Sequence, residues 1–380
     1  MRVLLNGINA LSAGGFNVVN NIVKNLPQVA PEIEFEIILP RIKGFNFMKS
    51  EKNINVHLIN RNFSHTISRF IDIYYNIDKW CRKIRPDLCF TLGDVGPIKL
   101  DIPHVVLLQQ AMLLYKGADY ESLWSLKDKL KFFYTRKHFE KMSQYIDMFT
   151  VQSPVMGKRL SMVYGVNKNK IKVIPSALPF DLSNGLDRKN PKLASMEIDK
   201  PIKLLFLAAG YPHKNHIILP AIAEELINRG LQNKIHIFIT LGPESAYNNS
   251  ILRLIQPYSN CITNLGFLNQ KEVSRAYKSA NALFIPTLVE SFGLIYIEAM
   301  KYNCPILTSD RDFAHWICKD LAMYFDPLDA TSIVDTIEKF NDEIPIISYN
   351  EKALKRLSHF PSSWDVVSMQ YLQLIKLFLK

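Results

Sequence analysis

Two glutamates, Glu290 and Glu298, stand seven residues apart in the stretch "LVESFGLIYIEAM". The strand-like run "ALFIPT" precedes them, and "GLIYIEAMKYN" reads as a helix with Leu294, Ile297 and Met300 on one face. Ser291 is in place to cap that helix. Gly293 lets a ligand approach backbone amides that point outward with the positive end of the helix dipole, which is an arrangement for phosphate. Glu298 falls roughly 7 to 8 Å beyond the helix start at the usual rise per residue, and Glu290 stands before it. A single helix glutamate is ordinarily solvated, or a charge that favours the dipole. Two carboxylates flanking a phosphate-binding helix end can instead each take hydroxyls, one set on either side of a pyrophosphate. A nucleotide sugar has that layout.

The elements that must position these groups follow an α/β pattern, with strand-length apolar runs alternating with helix-length segments. In the first half "RVLLNG", "EIILP", "VHLIN", "DLCFTLG", "HVVLLQ" and "MFTVQS" read as strands, with helices at 17–26 and 66–84. A second series runs through "IKLLFLAAG", "IHIFITLG", "ALFIPT", "CPILTS" and "AMYFDP". Between them "IPSALPFDLSNGLDRKNPKLASMEIDKP" is polar and punctuated by Pro175, Pro179, Pro191 and Pro201, as a linker would be. The expected organisation is an N-terminal domain over 1–178, a second domain over 179–360, and an apolar helix over 361–380 that packs back across the domains. Two doubly wound sheets place their carboxyl edges where ligands bind.

The chain has 380 residues, 48% of them hydrophobic, enough for two cores. Its formal net charge of +11 points to an anionic partner: nucleic acid, phospholipid headgroups or a phosphorylated small molecule. The five cysteines are scattered without a C-x-x-C pair, as in a reducing cytoplasm. The N-terminal run is broken by Asn6 and Gly7, unlike a signal peptide, and no apolar run approaches the roughly 20 residues of a membrane span.

"PTLVESFGLIYIEAMKYNCPILTSD" resembles the E-x7-E signature of the retaining glycosyltransferases of family 4, and "NCPIL" resembles the strand that follows it. "AAGYPHKN" resembles that family's diphosphate-binding lysine loop, "NLGFLNQKEVSRAYKSANALFIPT" the approach to the signature, and "LAMYFDPLD" the strand after it. "GGFNVVNNIVKNL" resembles the glycine loop and first helix of the acceptor domain, with Gly14 and Gly15 in that loop. The resemblance implies a GT-B fold, two Rossmann-like domains facing across a cleft, with the donor held mainly by the second. It implies further that Glu290 contacts the donor sugar, Glu298 the ribose and Lys214 the diphosphate. Gly293, Leu294, Ser291 and Phe267 complete the implied donor site. The sequence departs from the pattern at Ala209, where an arginine is usual, so that His213 or Arg275 would share the leaving-group charge. It departs also at Gln109, where the acceptor domain commonly has a histidine, and at Trp316, where an acidic residue is frequent. Glutamine at 109 can orient a sugar without acting as a base, because a retaining transfer can deliver the acceptor's proton to the departing phosphate oxygen.

Asp310 and Asp312 have D-x-D spacing but follow a strand of the second domain, where a turn and helix cap is the expected role, so no metal or other cofactor is expected. Nor do the histidines fall in metal-ligand spacing. "LKDKLKFFYTRKHFEKM" interleaves lysines with aromatics; it suits either an anionic membrane surface or an ordinary half-buried helix. No nucleic-acid module surrounds the charge. The expected activity is transfer of a sugar from a nucleotide sugar donor to a saccharide, free or lipid-linked, in polysaccharide or glycoconjugate synthesis. The expected location is the cytoplasm, in solution or peripheral on the inner face of the membrane. Two alternatives share the donor site: a sugar-nucleotide epimerase of similar fold, or a binding protein without turnover.

Overall fold

A computed structural model describes residues 1–9, 13–41, 52–59, 77–117, 119–177, 193, 196, 198, 201–243, 245–343 and 346–379. The chain forms two compact units. The first contains Met1–Lys116, Ser125–Ala177 and Pro361–Lys380; the second contains Gly117–Trp124 and Leu178–Phe360. The proline-punctuated stretch between the two strand series, and residues 66–76 of the expected helix 66–84, lie for the most part outside the described residues.

In the first unit seven parallel strands, β1 (Arg2–Asn6), β2 (Glu34–Pro40), β3 (Ile54–Ile59), β4 (Leu88–Thr91), β5 (His104–Leu108), β6 (Met148–Val151) and β7 (Ile171–Val173), are ordered β3-β2-β1-β4-β5-β6-β7. β4 and β5 are buried along their whole length, as sheets covered on both faces require. Helices α1 (Ala13–Val29), α2 (Ile77–Ile84), α3 (Leu126–Ser143) and α4 (Pro154–Tyr164) belong to this unit.

In the second unit six parallel strands, β8 (Ile202–Phe206), β9 (Ile235–Ile239), β10 (Ile262–Asn264), β11 (Ala282–Ile285), β12 (Ile306–Ser309) and β13 (Ala322–Phe325), run in the order β10-β9-β8-β11-β12-β13. Its helices are α5 (Leu219–Asn228), α6 (Ala246–Ile255), α7 (Gln270–Ser279), α8 (Leu294–Lys301), α9 (Asp312–Cys318), α10 (Ala330–Glu343) and α11 (Ile346–Leu357). All eleven strand runs read from the sequence are strands here. β7 and β10 were not expected; at three residues each they are too short to show a period.

Two assignments differ from the sequence reading. The terminal helix α12 (Trp364–Lys376) belongs to the first unit and packs on α1. Its Val367, Tyr371 and Ile375 join the core of Val18, Ile22 and Phe90, where Tyr371 lies 5.4 Å from Phe90, ring to ring. Conversely, Gly117–Trp124 leaves the first domain's span and is part of the second unit, where Asp119 meets Arg311 at 3.3 Å.

Candidate functional site

In the second sheet the strand order reverses between β8 and β11, which lie side by side. The loop after β8 carries Lys214 and the loop after β11 carries Glu290, so the topology brings them to one place at the carboxyl edge. Lys214 Nζ donates to Glu290 Oε2 at 2.5 Å, with side-chain exposures of 17% and 19%. The other Glu290 oxygen accepts from the Ser291 amide at 3.1 Å. Burial pushes the Glu290 carboxyl up, but the charge and hydrogen bond of Lys214 outweigh it and hold the group below its ordinary value. The two loops are stitched through one carbonyl: His213 O accepts from Thr287 Oγ1 at 3.0 Å and from the Leu288 amide at 2.8 Å. Asn215, in the left-handed region at φ 63°, donates its side-chain Nδ2 to Pro327 O at 2.7 Å and ties the turn to the segment after β13.

Gly293 begins α8. Its φ of +81° suits glycine, and an added Cβ would stand 2.5 Å from Tyr296 Cδ2. Gly293, not Ser291, is the N-cap residue, and no side chain caps the helix. The expected Ser291 cap is therefore corrected: its backbone amide is turned to Glu290. The Tyr296 amide donates to the Gly293 carbonyl at 3.0 Å, while that of Leu294, at the first helical position, has no partner within the helix by geometry. The buried face of α8 is Tyr296, Ile297, Ala299 and Met300, while Leu294 is only half-buried. Tyr296 and Thr308 share a hydrogen bond of 2.9 Å, which anchors α8 on β12.

Glu298 lies further along α8, where Tyr277 of α7 donates its hydroxyl to Glu298 Oε2 at 3.2 Å. Burial raises the Glu298 carboxyl to about 7, against the smaller opposing effects of that hydrogen bond and of Lys301. One glutamate of the pair is thus held ionised by a lysine, and its partner is poised between its two states near neutrality. Sequence reasoning missed Tyr277, since nothing in "EVSRAYKSAN" separates it from a core tyrosine.

His213 is not a source of positive charge. Burial, and then the neighbouring Lys214, lower its imidazole to about 3, so it is neutral where the chain would work. Arg275 lies half-buried on α7. Phe267 is 69% exposed in the loop between β10 and α7. Trp316 finds its explanation in packing: its ring lies 5.9 Å from both Phe292 and Phe360, and Arg356 donates to its carbonyl at 2.7 Å while its guanidinium lies 5.8 Å from the indole. The three rings form an aromatic plug beside the Gly293 turn. Asp310 pairs with His315 at 2.6 Å, and the Phe313 amide donates to Asp312 at 2.9 Å; the expected helix cap is not formed, since Arg311 is the N-cap residue of α9 and no side chain caps it. Among the described residues no cluster of three or more His, Cys, Asp or Glu could hold a metal ion.

The remaining expected residues belong to the first unit. Gln109 follows β5; its amide and that of Gln110 donate to Asp94 Oδ1 at 2.6 and 2.7 Å, and its Nε2 donates to Leu92 O at 3.2 Å. Its orientation is fixed by the backbone after β4. Gly14 and Gly15 are not a loop: they lie in the first turn of α1, where an added Cβ would meet nothing within 4 Å.

Residues 189–351 match the family described as "Glycosyl transferases group 1". That span contains Lys214, Phe267, Glu290, Gly293 and Glu298. This segment is similar to the group 1 glycosyltransferases. The chain is 24% identical over 213 residues to the O-antigen chain mannosyltransferase RfbU of Salmonella typhimurium, covering 56% of this chain and 54% of that one. To the D-inositol 3-phosphate glycosyltransferase of Nocardia farcinica it is 24% identical over 170 residues, covering 43% of this chain and 38% of that one. The chain thus spans about half the length, or less, of these curated relatives. Its fold is similar to that of the sucrose-phosphate synthase of Thermosynechococcus elongatus, with TM-score 0.71, 15% identity and coverage of 100% and 99%. It is similar also to Anabaena HepE in complex with UDP and glucose, with TM-score 0.68, 13% identity and 99% of both chains covered. The two parallel α/β units are those of the GT-B fold. The matched segment contains the Lys214–Glu290 pair and the α8 start, but neither Gln109 nor the α1 glycines.

Proposed function

We propose that the protein is a glycosyltransferase that moves a sugar, with retention, from a nucleoside diphosphate sugar to a hydroxyl of a saccharide acceptor carried on a lipid. The observation that supports this best is the half-buried Lys214–Glu290 pair beside the uncapped start of α8. In the free protein the two charges neutralise each other. A diphosphate competes with Glu290 for the ammonium and takes the α8 amides, which leaves the Glu290 carboxylate to accept from sugar hydroxyls. Glu298 accepts from the ribose, Phe267 offers an exposed ring to the base, and Arg275 adds positive charge. Gln109 orients the acceptor, and the segment at Gly14 and Gly15 contributes to taking it.

In the transfer the bond from the anomeric carbon to the β-phosphate oxygen breaks, the acceptor oxygen bonds to that carbon, and the acceptor's proton passes to the departing phosphate oxygen. No side-chain base is required. Charge on the leaving diphosphate is met by Lys214 and the helix start, without metal or other cofactor. The work is placed in polysaccharide or glycoconjugate synthesis in the cytoplasm, at the inner face of a membrane.

The test incubates the protein with radiolabelled nucleoside diphosphate sugars and a mixture of lipid-linked and free oligosaccharides. Label in the acceptor with the donor's anomeric configuration supports the proposal. Isomerised donor would make the protein an epimerase, and binding without turnover a sugar-nucleotide carrier. A thermal-shift panel of donors identifies the base and sugar, since a ligand at a hundred times its Kd adds about 2.7 kcal/mol.

A further inference from the structure

Helix α3 has two apolar faces. On the inner one Phe132, Phe139 and Met142 are buried, with Phe139 at 4.8 Å from Tyr164 and 5.8 Å from Phe149, ring to ring. On the outer one Leu126, Leu130, Phe133 and Tyr134 stand at i, i+4, i+7 and i+8, a single helical stripe, and they are 76%, 52%, 55% and 67% exposed. One stripe is thus core and the other faces out. Single exposed apolar residues are common on proteins, whereas four in register on one helix form a patch that is ordinarily covered.

The charges around the stripe indicate what covers it. Lys127, Lys129 and Lys131 are exposed within its first half, and Lys137 and Lys141 continue it toward the C-terminus. The acidic residues of the helix are engaged: Asp128 with Ser125 at the N-cap and Glu140 with Lys137 at 3.1 Å. A second copy would set lysine against lysine on a chain of net charge +11. Among the described residues no helix is long and apolar enough to cross a membrane.

We infer that the outer face of α3 docks on an anionic bilayer surface, with Leu126, Leu130, Phe133 and Tyr134 entering the headgroup boundary and the lysines meeting lipid phosphates. This deepens the lipid-linked acceptor reading and gives that acceptor a surface from which to be presented. The docking itself needs neither donor nor acceptor, so it can be measured apart from activity.

The full chain is sedimented with vesicles of phosphatidylcholine alone or mixed with phosphatidylglycerol. Binding is expected only to the mixed vesicles, and it weakens in high salt. Leu130→Asp with Phe133→Asp lowers the partition coefficient by about 10²-fold or more, as loss of two buried apolar side chains requires. Lys127→Gln, Lys129→Gln and Lys131→Gln together lower it by an amount on the order of 10². Leu354→Asp, at an exposed leucine of the second unit (61%), leaves it unchanged. Circular dichroism checks that each variant is folded, and Phe133→Trp emission should shift to the blue on mixed vesicles. Equal affinity for neutral vesicles, absence of binding, or binding indifferent to the aspartate pair overturns the inference. So does self-association abolished by that pair without vesicle binding, which would assign the face to a second copy. If vesicle binding fails while sugar transfer to a soluble acceptor proceeds, only this surface falls; if binding holds while no transfer occurs, only the enzymatic reading does.

Discussion

Replacing Glu298 with glutamine should make the protein more stable and worse at binding its donor, and the gain in stability should depend on pH. Burial raises this carboxyl from an ordinary 4.5 to about 7. Below the unfolded value the group is protonated in both states and contributes no difference. Between pH 4.5 and 7 the unfolded chain ionises it freely while the folded chain resists, so wild-type stability falls through that window and the loss is complete above it. At about 1.4 kcal/mol per pH unit the loss is at most about 3.5 kcal/mol, and solvent reaching the half-buried side chain reduces it to roughly 1 to 3. Glu298→Gln keeps the shape and an acceptor for the Tyr277 hydroxyl, 3.2 Å away in the wild type, but has no charge to bury. Urea titrations should therefore place the variant level with wild type at pH 4.5 and above it by that amount at pH 8. Calorimetry with the preferred donor at pH 8 should show affinity reduced about tenfold or more, as loss of charge-assisted hydrogen bonds to ribose hydroxyls requires. A stability difference independent of pH would refute the desolvated carboxyl, and an unchanged donor Kd would refute the ribose contact.

Gly293→Ala should cost about 2 to 5 kcal/mol, from about 1 to 2 for a left-handed alanine and about 1 to 3 for displacing the Tyr296 ring; urea denaturation within about 0.5 kcal/mol of wild type would show that the turn relaxes freely. Glu290→Gln should lower kcat while leaving the donor KM steady or lower, because it frees Lys214 for the diphosphate, and a raised KM with normal kcat would move the reacting centre elsewhere. Gln109→Ala should cost less than the about 10² to 10⁴ of a lost base and leave the pH–rate profile in place; a deeper loss would give Gln109 a role beyond orientation. Turnover should survive EDTA, whereas loss restored by Mn²⁺ or Mg²⁺ would make Asp310 and Asp312 candidate ligands.

Much of the fold and of the second unit's site was legible in the chain because local rules govern both. Runs such as "KLLFL" and "ALFI" are continuously apolar because parallel strands are buried on both faces, and alternation with helices leaves few topologies. Glu290, Gly293 and Glu298 could be read together because one turn and one short helix contain all three. Lys214 could be assigned only through family resemblance. That it meets Glu290 follows from β8 and β11 being neighbours across 76 residues of sequence, a pairing that no local period encodes. Tertiary packing alone decided the opposite protonation tendencies of the two glutamates, since these depend on which side chains crowd each carboxyl: Lys214 at one, Tyr277 and apolar burial at the other. The same holds for neutral His213, for the Phe292–Trp316–Phe360 plug and for the two-faced α3. In each case the sequence specifies the residue type, while its charge state or exposure is set by distant neighbours that only the folded chain brings into contact.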